Sequence, residues 1–168
     1  MEQDNSVASP PEPPDIERRL KFYPLQWIGL PILIAVPVLA LFGVLGESWS
    51  TLRGTTSSLE ISVRYPTRFR YKQLNEVHVF VKNVSGQRLD TVTVSFDSTY
   101  ISRFSTVTFL PAATRPYDVE MTGVLPGEDR LVVVELQGEQ YWRHEGELRV
   151  SGGEGDTTSF ALSTIIFP

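Results

Sequence analysis

Residues 25–45 contain no charged side chain, and Trp27, Ile28, Leu30, Ile32, Leu33, Ile34, Val36, Val38, Leu39, Leu41, Phe42, Val44 and Leu45 make the run strongly apolar. A segment of this length and composition has to be buried, either in a protein core or in lipid. As a helix rising about 1.5 Å per residue it reaches roughly 30 Å, the hydrocarbon thickness of a bilayer. Pro31 and Pro37 would cost hydrogen bonds in a buried soluble helix, whereas proline and glycine, here Gly29 and Gly43, are commoner in membrane helices. The expectation is one transmembrane α-helix over residues 25–46. Trp27, with Phe22 and Tyr23, lies at one end and Trp49 just past the other, where interfacial aromatic belts form, so Trp27 and Trp49 are the expected membrane-interface residues.

Arg18, Arg19 and Lys21 precede the apolar run, whereas Glu47 and then Arg53 follow it. Positive residues stay in the cytoplasm. The expected topology is therefore a single-pass cell-membrane protein with a cytoplasmic N-terminus and a periplasmic or extracellular C-terminal domain. A cleaved export signal is the rival reading. Against it stand an apolar run longer than the usual ~7 to 15 residue h-region and the polar tail that precedes it. Gly46, Ser48 and Ser50 leave cleavage open. Residues 1–24 hold Pro10, Pro11, Pro13 and Pro14 among acidic and small polar residues, the composition of a disordered cytoplasmic tail. Residues 47–58, rich in Ser, Thr and Gly, read as a short tether.

From Leu59 the pattern changes to period two, the signature of half-buried strands. Leu59, Ile61, Val63 and Tyr65 alternate with polar residues, as do Val77, Val79 and Val81, then Val92, Val94 and Phe96. Further strands are expected over residues 106–110, 117–122, 130–136, 146–150 and 159–167, with residues 131–134 continuously apolar as in a central strand. Turn chemistry separates them: Ser85-Gly86, Pro126-Gly127 and the glycine-rich residues 151–156. Eight short strands without an amphipathic helix after the apolar run describe an antiparallel β-sandwich over residues 59–168, or else a small barrel.

The turn at Asn83-Val84-Ser85-Gly86 is followed by Leu89 and the alternating Val92, Val94 and Phe96. Much later, Leu125-Pro126-Gly127-Glu128 leads into the apolar residues 131–136. In these features the chain resembles a bacterial immunoglobulin-like module, similar to the cell-adhesion-related domains of bacteria. The resemblance implies an all-β, immunoglobulin-like sandwich serving as an extracytoplasmic binding or spacer module without catalytic residues. One such module standing alone behind an anchor suits an accessory subunit of a membrane complex.

Composition narrows the chemistry. With a formal net charge of -5 and no cysteine, the chain of 168 residues lacks the basic surface that nucleic acid requires, and it has no disulfide, thiolate or cysteine metal site. The histidines are His78, on a polar strand face, and His144, in Tyr141-Trp142-Arg143-His144-Glu145. No zinc-binding, calcium-loop or phosphate-loop spacing occurs, and Glu145, Glu147, Glu154 and Asp156 read as a solvated hairpin edge. No catalytic residue, metal ligand, cofactor or small-molecule substrate is expected. Interaction is the better expectation. Arg68, Phe69, Arg70, Tyr71 and Lys72 interleave basic and aromatic side chains suited to a protein partner or to anionic headgroups, and Tyr141 and Trp142 form a second candidate patch. The competing arrangement for the first run is a strand with Phe69 and Tyr71 in the core. The expected function is a membrane-anchored module making protein-protein contacts, with an envelope hydrolase using His144, a structural spacer or a surface-ligand adhesion module as alternatives. Asn83-Val84-Ser85 also matches a glycosylation sequon.

Overall fold

The computed structural model describes residues 24–41, 46–153 and 155–168, with side chains from residue 28 onward. Two compact units divide the chain, Met1–Phe42 and Gly43–Pro168.

The first unit contains helix α1, Pro24–Leu41, with Pro31 and Pro37 inside it. Its first residue is a proline, whose missing N–H costs nothing at a helix start. The 18 residues of α1 rise about 27 Å. The side chains of Ile28, Leu30, Ile32, Leu33, Ile34, Val36, Val38, Leu39 and Leu41 are all exposed. Among the described residues no helix is long and apolar enough to cross a membrane. The expected span runs on through residues 42–45, which lie outside the described residues, as do the expected tail over residues 1–23 and the side chain of Trp27.

The second unit is all-β: β1 (Ser48–Thr55), β2 (Leu59–Arg70), β3 (Leu74–Asn83), β4 (Leu89–Phe96), β5 (Phe104–Leu110), β6 (Asp118–Val124), β7 (Asp129–Gly138), β8 (Trp142–Ser151) and β9 (Thr157–Phe167). A single helical turn, α2 (Ser98–Ile101), interrupts them, capped where the Thr99 amide donates to Asp97. The eight strands expected after Leu59 are all present. The expected tether is not one: Ser48–Thr55 is a strand, paired antiparallel with β2 and alternating half-buried and exposed. Its inward positions are Ser48, Ser50, Leu52 and Gly54, so a single large apolar side chain marks its buried face. Gly54 is required there, because a Cβ would stand 2.7 Å from the Phe160 ring.

The strands follow the order β5-β7-β3-β2-β9-β8-β4-β6, with β1 added on β2. Phe96 of β4 meets Phe109 of β5 edge-on at 5.9 Å although their strands stand near opposite ends of that order, so the sheet closes on itself as a sandwich. Each strand turns one face inward, from Leu59, Ile61 and Val63 to Val132, Val134 and Leu136, and together these make one core. The expected all-antiparallel pairing needs one correction. β2 pairs with β1 and β3 along most of its length, and then Arg68–Arg70 runs parallel to Ile165–Phe167 of β9. This change of partner carries β2 from one layer to the other.

A buried knot holds that crossing. The Thr164 hydroxyl donates to the Pro66 carbonyl at 3.0 Å, which leaves its oxygen to accept from the Tyr100 hydroxyl at 2.9 Å. Burial pushes the Tyr100 phenol up to about 12. Tyr100 packs closely against Gly146, where an added Cβ would come within 2.2 Å of the Tyr100 Cβ.

At the opposite end two turns are laced together. Asn83, fully buried, donates through Nδ2 to the Gln87 and Val124 carbonyls, and its main chain bonds to both Gly127 and Glu128. Gly127 takes φ +76, as the second central position of a type II turn requires. With its amide committed inward, Asn83 is inaccessible as a sugar acceptor in the folded domain. Nearby, the Asp156 carboxylate accepts from the Thr56, Ser57 and Ser58 hydroxyls and from the Ser57 and Ser58 amides, binding the β8–β9 turn to the β1–β2 turn. The Ser58 hydroxyl contributes most to holding its pKa down at about 2. Because the folded-state pKa lies below the ordinary carboxylate value, the stabilisation is complete above that value and is lost as pH falls towards 2. Asp156→Asn should therefore lower the thermal midpoint at neutral pH and remove this part of the acid sensitivity, as thermal unfolding between about pH 5 and pH 2 will show.

Candidate interaction surfaces

The residues singled out in two separate stretches of sequence meet at one end of the domain. The Arg70–Gln73 turn after β2 is fixed on three sides: the Tyr71 amide donates to the Phe167 carbonyl at 2.8 Å, the Lys72 amide to Gly138 at 2.9 Å, and the Gln137 side chain to the Lys72 carbonyl at 2.9 Å. β8 begins opposite Ile166 of the neighbouring strand. The Tyr71 and Tyr141 rings consequently lie 4.6 Å apart, with the Lys72 ammonium 5.5 Å from the Tyr71 ring. Trp142 stands beside them, 81% exposed. Arg70 and Lys72 are exposed, and Tyr71 is half-buried. An open depression of about 640 Å³ is lined by Gly46, Glu47, Arg70, Tyr71, Lys72 and Gln73.

Phe69 does not belong to this surface. It is fully buried, stacked at 6.4 Å on Phe104 and packed against Gly138. The strand parity that turns Arg68 and Arg70 outward turns Phe69 into the core, as in the competing arrangement for this run, whereas Tyr71, expected in the core there too, is only half-buried against it. Trp49 sits on β1 with the Arg64 guanidinium 5.2 Å over its ring, a cation-π contact on the outer face of the sheet.

A second surface was not apparent in the sequence. On the outer face of β5, β7 and β3, Leu110 pairs with Val133, Val133 with His78, and Leu131 with Phe80. Leu110, Phe80 and Leu131 are 51%, 44% and 42% exposed, and the His78 ring meets Phe80 edge-on at 6.2 Å. Leu131 and Val133 belong to the continuously apolar run 131–134, whereas Phe80 and Leu110 look like isolated outward residues until the register places them beside that run. The strip is bordered by Glu76, whose carboxylate lies 2.6 Å from His78 Nε2.

His144, Glu145, Glu147 and Asp156 have structural partners. His144 is buried, its Nε2 donating to the Gln140 carbonyl at 2.7 Å and its ring edge-on to Phe104. Among the described residues no serine hydroxyl or carboxylate is hydrogen-bonded to that ring. Glu145 pairs with Arg143 and Glu147 with Arg149, each at 2.7 Å, while Asp156 is occupied by the β1–β2 turn. Glu154 lies outside the described residues. Among the described residues no group of three histidine or acidic side chains is placed to hold a metal ion.

No protein-family model and no curated protein matches the chain. Among solved structures, the cupredoxin domain of amoB from Nitrosocaldus yellowstonii is similar over 73% of this chain and 90% of its own, with 10% identity and a TM-score of 0.41. A CARDB domain from Pyrococcus furiosus, solved in complex with di-metal ions, is similar over 72% of this chain and 96% of its own, with 13% identity and a TM-score of 0.35. A β-glucosidase from Listeria innocua matches 73% of this chain with 16% of its own, at 13% identity and a TM-score of 0.35. Likeness at this level assigns neither family nor activity, so the surfaces themselves carry the functional reading.

Burial separates core from surface in a way that stability measures directly. Phe69→Ala should cost about 3 to 5 kcal/mol, whereas Trp142→Ala should change stability by less than about 0.5 kcal/mol. Denaturant unfolding of the two variants tests the assignment; a large loss for Trp142→Ala would place that ring in the fold rather than on its surface.

Proposed function

We propose that this chain is a single-pass membrane protein with a cytoplasmic N-terminus, whose immunoglobulin-like domain makes protein-protein contacts outside the cytoplasm as an accessory or assembly subunit of a membrane or envelope complex. The reading is non-enzymatic. Support for the anchor comes from α1, whose side chains from Ile28 to Leu41 include no charged group, and from the apolar sequence that continues through residue 45. Support for the immunoglobulin-like assignment comes from the sandwich and from the lacing of the Asn83 turn to the Pro126-Gly127 turn, the two features on which the resemblance rests.

The observation that carries the interaction role is the outward strip of Leu110, Val133, His78, Phe80 and Leu131. Cross-strand contacts within the strip stabilise the sheet only modestly, and apolar side chains gathered on one outer sheet face mark protein interfaces. Aromatic and aliphatic side chains at the centre of a patch contribute most of the binding energy once a partner excludes water from them. A passive spacer has no use for the strip. His144 argues against the hydrolase alternative, because its Nε2 proton is committed to a main-chain carbonyl and its ring is packed in the interior.

The test is purification of the tagged full-length chain from its native membrane in mild detergent, alongside the Phe80→Arg/Leu131→Arg variant. The expected result is a reproducible membrane partner whose retention falls roughly tenfold or more in the variant. Equal retention by a variant that keeps its thermal midpoint would remove the strip as the contact. A wild-type chain that purifies alone would leave the spacer.

A further inference from the structure

Trp142 is the most exposed large side chain described in the β-domain, and its main chain is held at φ +83. Among the described residues the non-glycine positions with positive φ are Lys72, Tyr117 and Trp142, and two of these three lie at one end of the domain. L-residues enter this region at an energetic cost, and such cost tends to be retained where it aims a side chain for use. In this case it aims a cation and an indole. Trp142 lies opposite Ile166, whose strand runs beside Arg70, and Ile165 is also exposed. Trp142 and Tyr141 thus stand at the end of the domain that carries Arg70 and Lys72.

The acidic groups at this end are Glu47, Glu139 and Glu145. Glu47 accepts from the Gln73 amide, and Glu145 is paired with Arg143, whose Nε donates to Ser163. Arg103 donates to Gln140. Arg70 and Lys72 are both exposed, and on a chain whose net charge is -5 they place two cations in the turn that carries Tyr71.

The chain also enters the domain at this end. Ser48, the first residue of β1, pairs with Arg68, two residues before Arg70. Only residues 42–47 separate the end of α1 from the start of β1, a reach of roughly 20 Å when fully extended. An indole and a phenol with their amphipathic rings exposed, flanked by basic side chains, form the combination that partitions into the headgroup layer of a bilayer.

We propose that this end, built from Arg70, Tyr71, Lys72, Tyr141 and Trp142, docks the domain on the anionic headgroups of the bilayer that holds its own anchor. The inference rests on the membrane anchoring proposed above and is independent of the partner strip. Docking through the end leaves the outer face of β5, β7 and β3 lateral to the membrane surface, where a neighbouring membrane protein can reach Phe80 and Leu131. Trp142 then supplies the interfacial anchor, Tyr141 stacks against Tyr71 behind it, and Arg70 and Lys72 neutralise headgroup charge.

The experiment uses the full-length chain in nanodiscs of phosphatidylcholine, with or without phosphatidylglycerol, whose acyl chains are brominated close to the carbonyl. Quenching of Trp142 is isolated by difference against Trp142→Phe, and quenching of Trp27, by difference against Trp27→Phe, reports insertion. The expected result is strong quenching of Trp142 in anionic discs, with the docked population falling roughly tenfold in neutral discs and in Arg70→Glu/Lys72→Glu. Arg70→Gln/Lys72→Gln should be intermediate, and unchanged thermal unfolding will show that both variants are folded. A chain that inserts, with Trp27 quenched and Trp142 untouched in anionic discs, overturns the docking and leaves the anchor standing. A chain that does not co-elute with the discs removes the anchor and the docking with it. Trp142 shielded in native membranes but unquenched in discs assigns this end to a protein instead and overturns the lipid proposal.

Discussion

Three residues of parallel pairing, Arg68–Arg70 of β2 with Ile165–Phe167 of β9, hold the rest of the domain in place. Without them β2 would belong to one layer throughout, and the chain would have two sheets joined by loops rather than one sheet closed on itself. The crossing is stabilised by groups that can satisfy one another only in the interior: Thr164 between Pro66 and Tyr100, with Tyr100 packed closely against Gly146. A buried hydroxyl left without a partner costs more than the same bond contributes when made, so this small network specifies one crossing geometry as much as it stabilises it. Phe69 enters the core beside Phe104 as a direct consequence, and the next residues emerge at the end of the domain.

From that crossing follow two surfaces of different character. The end of the domain gathers aromatic and basic side chains from the β2–β3 turn and from the start of β8, segments far apart in sequence. The outer sheet face collects single apolar side chains from β5, β7 and β3 into a strip. Amphipathic rings with cations suit a charged, wet boundary, whereas the apolar side chains of the strip gain most from exclusion of water. The two need not compete for one partner, because they point in different directions from the same rigid sheet.

The strands were legible in the sequence because their inward residues are large and alternate strictly, as in Leu59, Ile61 and Val63 or Val77, Val79 and Val81. The Pro126-Gly127 turn was legible because glycine is needed at its positive φ, and the Asn83 turn because an asparagine side chain accepts from the main chain two residues on, here the Ser85 amide. β1 was not, because its inward positions carry Ser48, Ser50 and Gly54, which give no apolar alternation, and Gly54 answers to the neighbouring Phe160 ring rather than to any periodic signal. Pairing between β2 and β9 joins residues nearly a hundred positions apart and leaves no local mark. The candidate site was half legible: residue type singled out Arg70, Tyr71, Lys72, Tyr141 and Trp142, but their convergence depends on that pairing, and Phe69 was on the wrong side of it. The apolar strip was invisible for the same reason, since register alone brings Leu131 beside Phe80.

The proposed anchoring would give these surfaces their meaning, for a domain tied to a bilayer would meet lipid at one end and neighbouring membrane proteins at its sides. The most direct measurement is alkaline carbonate extraction of native membranes, comparing the full-length chain with one lacking residues 25–46. Retention of the full-length chain in the membrane pellet, with release of the shortened one, is the predicted result. Release of both into the soluble fraction would contradict it.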